Sequence, residues 1–385
     1  MDPQQLHSLY LRHKEASLHG RYISSNHIQP LIDRLRNRLS IKIIGHSEKD
    51  QPIYKLSLGS GSIQLVYWSQ MHGNESTTTK AVFDFINMLT QSKYTFVNKI
   101  LETCTLHIIP MLNPDGANAY TRLNANKVDL NRDAQQRTQR ESVILDKELR
   151  AIHPDVAFNL HGQRTIFSAG SKRKSAIVSF LSPAANADRG LTDSRKIAMD
   201  IILEMNTILQ TVIPDQVGRY DDGFNINCVG DTLANRDVPV ILFEAGHHPD
   251  DYDREITRKL IFYALVSSAH YISTADNLGE GYDAYFSIPE NEKLFYDIVI
   301  RNVILNEKNV DIAVQYEEIL DDDVVKFLPK VSKIGDLRKF YGHREILGQK
   351  RVIRNENVRN QILPDTILLK FYLDAELFST ELVKS

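Results

Sequence analysis

Only two cysteines, Cys104 and Cys228, occur in 385 residues. They cannot form a disulfide framework. One bridge is open to them, but two free thiols are the simpler expectation in so cysteine-poor a chain. Charge of one sign is scarce as well: 46 Lys+Arg stand against 49 Asp+Glu, a formal net charge of −3. That balance gives no electrostatic reason to expect nucleic acid or an anionic membrane as partner. Long apolar runs are missing. Stretches such as Ile298–Leu305 are interrupted by Arg301 and Asn302, and they fall far short of the roughly 20 residues that span a bilayer. The start, Met1-Asp2-Pro3-Gln4-Gln5, has no basic segment followed by an apolar one. No secretory leader is therefore expected, and a cytoplasmic location is. Repeats and low-complexity tracts are also lacking. The composition itself is ordinary, 42% hydrophobic and 25% charged, which supports a sizeable core and excludes disorder for the whole chain.

The length suggests two domains, or one large domain with an appendage. Residues 1–40 read as two short helices around Gly20, followed by strands at Ile41–Ile44, Ile53–Leu58 and Ile63–Trp68. Ala81, Phe83, Phe85, Ile86 and Leu89 mark a helix over Glu75–Leu89. Strands at Cys104–Pro110, Asp155–Leu160, Ala176–Leu181 and Val238–Phe243 then alternate with helices at Ser142–Ile152, Ser194–Val212 and Arg254–Ala275. This alternation predicts an α/β fold, a mixed and largely parallel sheet sandwiched between helices. After Asn277–Gly281 the texture changes. An amphipathic helix is expected over Glu290–Leu305, then short strands near Val310–Tyr316, Val324–Pro329 and Ile367–Tyr372. Residues 1–278 are thus expected to form the main domain, and 279–385 a small C-terminal α+β or β-rich domain of unassigned role. Asp321-Asp322-Asp323 reads as a solvated loop in preference to a calcium site.

The chemistry begins at Met71-His72-Gly73-Asn74-Glu75, between a strand and a helix. A His and a Glu three apart in such a turn can aim an imidazole nitrogen and a carboxylate at one point, and both are ordinary zinc ligands. A catalytic zinc takes three protein ligands and leaves one position for water. His161, directly after the strand Asp155–Leu160, is the third candidate. Glu244, directly after Val238–Phe243, is the fourth element. All four fall just past the C-terminal ends of apolar strands, the edge where open α/β sheets place ligand sites. Taken singly, each has a plainer reading: a chance pair, a hydrogen-bonded core histidine, a capping or ion-paired carboxylate. Together they point to one zinc ion per chain.

The strings His72-Gly73-Asn74-Glu75, Asn113-Pro114-Asp115-Gly116, Asp129-Leu130-Asn131-Arg132, Asn159-Leu160-His161-Gly162 and Phe243-Glu244-Ala245-Gly246 resemble the zinc carboxypeptidase superfamily, in the family's order. The stretch Thr121–Arg132 is similar to one in bacterial murein peptide amidases. The resemblance implies that His72, Glu75 and His161 hold zinc and that Glu244 is the general base. It implies that Arg122 polarises the scissile carbonyl, and that Asn131 and Arg132 grip the substrate's carboxylate. Tyr220 is the candidate for a tyrosine that covers the substrate. The expected reaction is hydrolysis of an amide bond beside a residue with a free carboxylate, in a short peptide or peptide-like substrate. An alternative is a zinc-dependent N-acyl amino acid deacylase of the aspartoacylase or succinylglutamate desuccinylase type, which shares three of these strings. Asn113-Pro114-Asp115-Gly116 favours the peptidase. A fold retained only for binding would have lost a ligand or the base, and none is missing. Departures from the family are Asp133, where many relatives have Asn, and the short interval between Glu75 and His161, which abbreviates the specificity loops. Arg164 is expected to add positive charge near the site. His247 and His248 read as surface-loop histidines in preference to groups supporting the site.

Overall fold

The computed structural model describes residues 1–357 and 361–382. The chain divides into two compact units, Met1–Gln163 with Ala176–Asn291, and Arg164–Ser175 with Glu292–Ser385.

The first unit is built on an eight-stranded sheet. Its strands are β1 (Ser40–His46), β2 (Pro52–Gly59), β3 (Ile63–Ser69), β4 (Cys104–Ile109), β5 (Val156–Gly162), β6 (Val178–Leu181), β7 (Val217–Arg219) and β8 (Val240–Ala245). They lie in the order β1-β2-β4-β3-β5-β8-β6-β7. β4 with β3, β3 with β5, β5 with β8, and β6 with β7 pair in parallel. β1 with β2, β2 with β4, and β6 with β8 are antiparallel. This is the mixed α/β sheet expected.

Strand residues alternate between two cores, because successive side chains point to opposite faces. Leu65, Tyr67, Phe158 and Phe243 pack with the helices Thr77–Gln91, Asp193–Gln210 and Glu255–Thr274, and with the N-terminal helices Pro3–His13 and Ser25–Leu35. Val66, Trp68, Ala157 and Val240 pack on the other face with the helices Arg140–Ile152 and Val229–Ala234. β5 and β8 are covered on both sides, which is why they read as continuous apolar runs. The short helix Thr95–Thr103 was not expected.

The second unit is β-rich. Val324–Gly335, Lys308–Asp321, Phe295–Leu305 and Tyr341–Leu347 form a four-stranded sheet in that order, and Ile353–Asn355, Lys370–Leu373 and Glu376–Ser379 a three-stranded one. Ile298, Ile300, Val314, Val331, Leu368 and Phe371 are in its core. The helix expected over Glu290–Leu305 is instead the strand Phe295–Leu305. Ile298-Val299-Ile300 and Val303-Ile304 are β-branched and stiff at χ1, which favours a strand. Partners on both sides complete it, antiparallel at Ile298↔Val314 and parallel at Ile298↔Arg344.

Arg164–Ser175 belongs to this unit. Thr165 Oγ1 accepts from Gln315 Nε2 at 2.6 Å, and Ile166 O from Phe295 N at 3.0 Å. Residues 279–291 pack with the first unit. The acidic run is a hairpin turn: Asp321 pairs with Val324, and Asp322 and Asp323 have φ of 47° and 58°, the signs of a type I′ turn. No helix among the described residues is long and apolar enough to cross a membrane. Cys104 and Cys228 are both free thiols.

Candidate metal centre

His72 and Glu75 sit in the turn that follows β3. The turn is packed tightly: a Cβ on Gly73 would meet the Gly116 backbone at 1.9 Å, so only glycine fits there. His161 and Glu244 are register partners on the parallel strands β5 and β8. Their side chains therefore leave the same face of the sheet.

His72 Nδ1 lies 2.9 Å from Glu75 Oε1, and His161 Nδ1 lies 3.1 Å from Glu75 Oε2. The two Nδ1 atoms are 3.1 Å apart. A tetrahedral zinc with bonds of about 2.0–2.1 Å holds its ligand atoms about 3.3 Å apart, so these three side chains fit a common ion. They are the group able to hold a metal among the described residues. Behind the ligands, Asp129 Oδ1 lies 3.1 Å from His72 Nε2 and accepts from Asn131 N at 2.9 Å. Its second oxygen takes the Arg122 guanidinium, Nε at 3.1 Å and Nη2 at 3.0 Å. A carboxylate on the far nitrogen of a metal-binding histidine fixes the ring's tautomer and orientation.

The two carboxylates of the site are driven in opposite directions. Burial would raise Glu75, but His72 and His161 pull it well below the usual carboxylate range. For Glu244, burial and the negative charge of Glu75 both act upward, and it stands well above that range. Its Oε2 is buried with no hydrogen-bond partner among the described residues. Burial lowers His72, but Glu75 and Asp129 override it and hold the imidazole at about 9.

The remaining expected residues are placed as follows. Arg122 is 44% exposed and reaches Glu75 Oε1 at 3.3 Å as well as Asp129. Asn131 lies in the single turn Leu130–Arg132, its Oδ1 accepting from Val229 N at 3.0 Å. Arg132 Nη1 donates to Asn131 O at 2.8 Å and to Cys228 Sγ at 3.2 Å. Tyr220 follows β7, and its hydroxyl donates to Gln163 Oε1 at 2.8 Å. Burial and the charges of Glu244 and Glu75 raise its phenol, which puts it within electrostatic reach of the centre.

His247 is buried against Tyr252, ring centroids 4.5 Å apart, and so is no surface histidine. His248 meets Pro249 O at 2.9 Å. Sequence reasoning missed Asp129, Gln163 and Cys228. Asp129 was visible as the first residue of the Asp-Leu-Asn-Arg string, and Gln163 as the next residue on the His161 face of its strand. Cys228 carried no signal.

Residues 25–159 match the family model for zinc carboxypeptidase. The chain is 34% identical over 82 residues to gamma-D-glutamyl-L-diamino acid endopeptidase 1 of Lysinibacillus sphaericus, covering 20% of this chain and 21% of that protein. It is 25% identical over 166 residues to mouse (Mus musculus) carboxypeptidase M, covering 38% of this chain and 36% of the relative. The matches thus span well under two thirds of these curated relatives. Among solved structures, a metallo-carboxypeptidase from Burkholderia cenocepacia superposes with a TM-score of 0.53 at 16% identity, over 66% of this chain and 70% of that one. At that identity the likeness concerns the fold.

Proposed function

We propose that the chain is a zinc-dependent hydrolase of the zinc carboxypeptidase kind, whose family model matches residues 25–159, cleaving an amide bond beside a residue with a free carboxylate. The observation that carries this reading is the trio His72, Glu75 and His161 with an unbonded carboxyl, Glu244, in register beside it.

Zinc, one ion per chain held by those three residues, would lower the pKa of a bound water towards about 7. Glu244, whose Oε2 has no hydrogen-bond partner among the described residues, would be the group to accept that water's proton and return it to the leaving amine. Arg122 is permanently cationic and held by Asp129. It offsets charge developing on the carbonyl oxygen, a contact commonly worth about 2.7–4 kcal/mol. Asn131 and Arg132 take the substrate's carboxylate, for which the planar guanidinium offers a bidentate fork. Tyr220 covers the bound substrate.

The Thr121–Arg132 string and the similarity to a γ-D-glutamyl-diamino acid endopeptidase favour a short cell-wall peptide. Two unbridged cysteines fit a reducing, cytoplasmic setting. The test is a screen of free-carboxylate peptides, γ-D-glutamyl-diaminopimelate peptides among them, with zinc and after chelation. Zinc-dependent release of the terminal residue is expected. Hydrolysis of N-acyl amino acids alone would replace this reading with the deacylase.

A further inference from the structure

The segment carrying Tyr220 is fastened at each residue from 218 to 222. Gly218 has no room for a side chain, because a Cβ there would meet Asn291 Oδ1 at 1.8 Å. Arg219 pairs with Glu290 at 2.8 Å. Tyr220 N donates to Phe180 O at 3.0 Å. Asp221 meets Arg189 at 3.1 Å, and Asp222 meets Arg195, which is itself buried, at 2.6 Å.

The side chain of Tyr220 is fastened too, by Gln163 with Asn291 beside it. Gln163 extends β5 by one bond, its N–H donating to Ala245 O at 3.0 Å. It lies two residues past His161, on the same face, and is 7% exposed. Its Nε2 donates to Ala176 O at 2.7 Å and to Ser179 Oγ at 3.3 Å. That leaves Oε1 as the acceptor for Tyr220 Oη at 2.8 Å and for Asn291 Nδ2 at 3.2 Å. Asn291 Nδ2 also bonds Ser179 Oγ at 2.9 Å, and Ser179 is the register partner of Glu244 on β6. The network therefore runs from the strand of the third ligand, past the neighbour of the base, to the phenol.

We propose that Gln163 is a positioning residue that fixes the Tyr220 hydroxyl beside the centre before substrate arrives. This inference rests on the hydrolase reading for its consequence in turnover, though not for the anchoring itself. A preformed contact lowers the ordering cost of substrate binding, so its loss appears mainly in KM.

Gln163→Met conserves volume and removes the acceptor. Gln163→Met, Tyr220→Phe and the double variant would be compared by steady-state kinetics and zinc content. Each single change is expected to lower kcat/KM by about five- to tenfold, the size of one hydrogen bond, mostly through KM. The double variant should be no worse than the weaker single, with zinc content unchanged throughout. Losses that multiply, or a Gln163→Met enzyme with wild-type KM, overturn the proposal.

Nitration of Tyr220 by tetranitromethane, followed by peptide mass spectrometry, reads the anchor without activity. It should run several-fold faster in Gln163→Met, and equal rates overturn the proposal. A zinc-loaded wild-type chain that hydrolyses none of the peptides would count against the hydrolase reading alone, since the nitration contrast still decides the anchor.

Discussion

Glu244 makes no hydrogen bond among the described residues, and burial together with Glu75 keeps its proton affinity high. As the proposed general base it would contribute about 10²–10⁴-fold. Glu244→Gln keeps shape and packing, so it is expected to lower kcat by at least about a hundredfold while zinc stays bound, as metal analysis of the purified variant would show. Asp129 acts one step back. Asp129→Asn weakens the hold on both the His72 ring and Arg122, and loss of such a supporting partner typically costs 10–100-fold in metal affinity. Competition with a chromophoric chelator would measure it, and an unchanged zinc affinity would remove Asp129 from this role. The grouping of His72, Glu75 and His161 with Glu244 was legible in the sequence because each ends or follows an apolar strand within a short recognisable string. Asp129's role was not, since its partners His72 and Arg122 meet only in three dimensions. The partners of Gln163 were hidden for the same reason: Tyr220 and Asn291 come from other strands and loops.

At the scale of elements, most helices and strands of the first unit follow from period and composition. The Phe295–Leu305 strand did not. Its apolar residues satisfy a helical spacing on paper, but pairing on both sides supplies hydrogen bonds and burial that a local pattern does not encode. The Asp321–Asp323 run shows the reverse case, where charge drew attention and backbone conformation was the explanation. Type I′ turns favour Asn-Gly at the two central positions. Replacing Asp322 and Asp323 by Asn and Gly relieves the left-handed backbone cost and should stabilise the second unit by roughly 1 kcal/mol, visible as a higher Tm, with hydrolysis unchanged. A Tm that falls would refute the turn assignment.

For the whole molecule, the N-terminal helices are tied to the first unit through buried charge. Arg258 holds Asp84 at 2.6 Å and donates to Glu15 O at 2.8 Å, and Lys80 meets Glu255 at 2.5 Å. These residues are scattered from position 15 to 258, so no sequence window revealed the network. Burial alone would raise Glu255, but Lys80, Lys14 and Arg258 hold it at about 2, against an ordinary 4.5. Lys80 is pushed down by burial to about 8 even with Glu255 beside it. It is therefore protonated in both folded and unfolded chains in acid, and only the carboxylate matters there. A depressed carboxylate stabilises fully above its unfolded pKa, and the contribution is lost as pH falls through the folded one. Stability should therefore decline between about pH 4.5 and 2. Glu255→Gln should flatten that decline while lowering Tm at pH 7. Parallel pH–melting curves for the two proteins would discard the idea.

The pairing of His161 with Glu244 has one more consequence. The distance from His161 to Glu244, the proposed ligand and base, is measured out by the β5–β8 hydrogen-bond ladder itself, with no loop in between to absorb error. A slip of one residue would carry Glu244 to the opposite face of the sheet. The sheet is thus the ruler of the proposed site as well as its support. Lesions deep in β8, far from any ligand, should silence the enzyme while the fold still melts cooperatively.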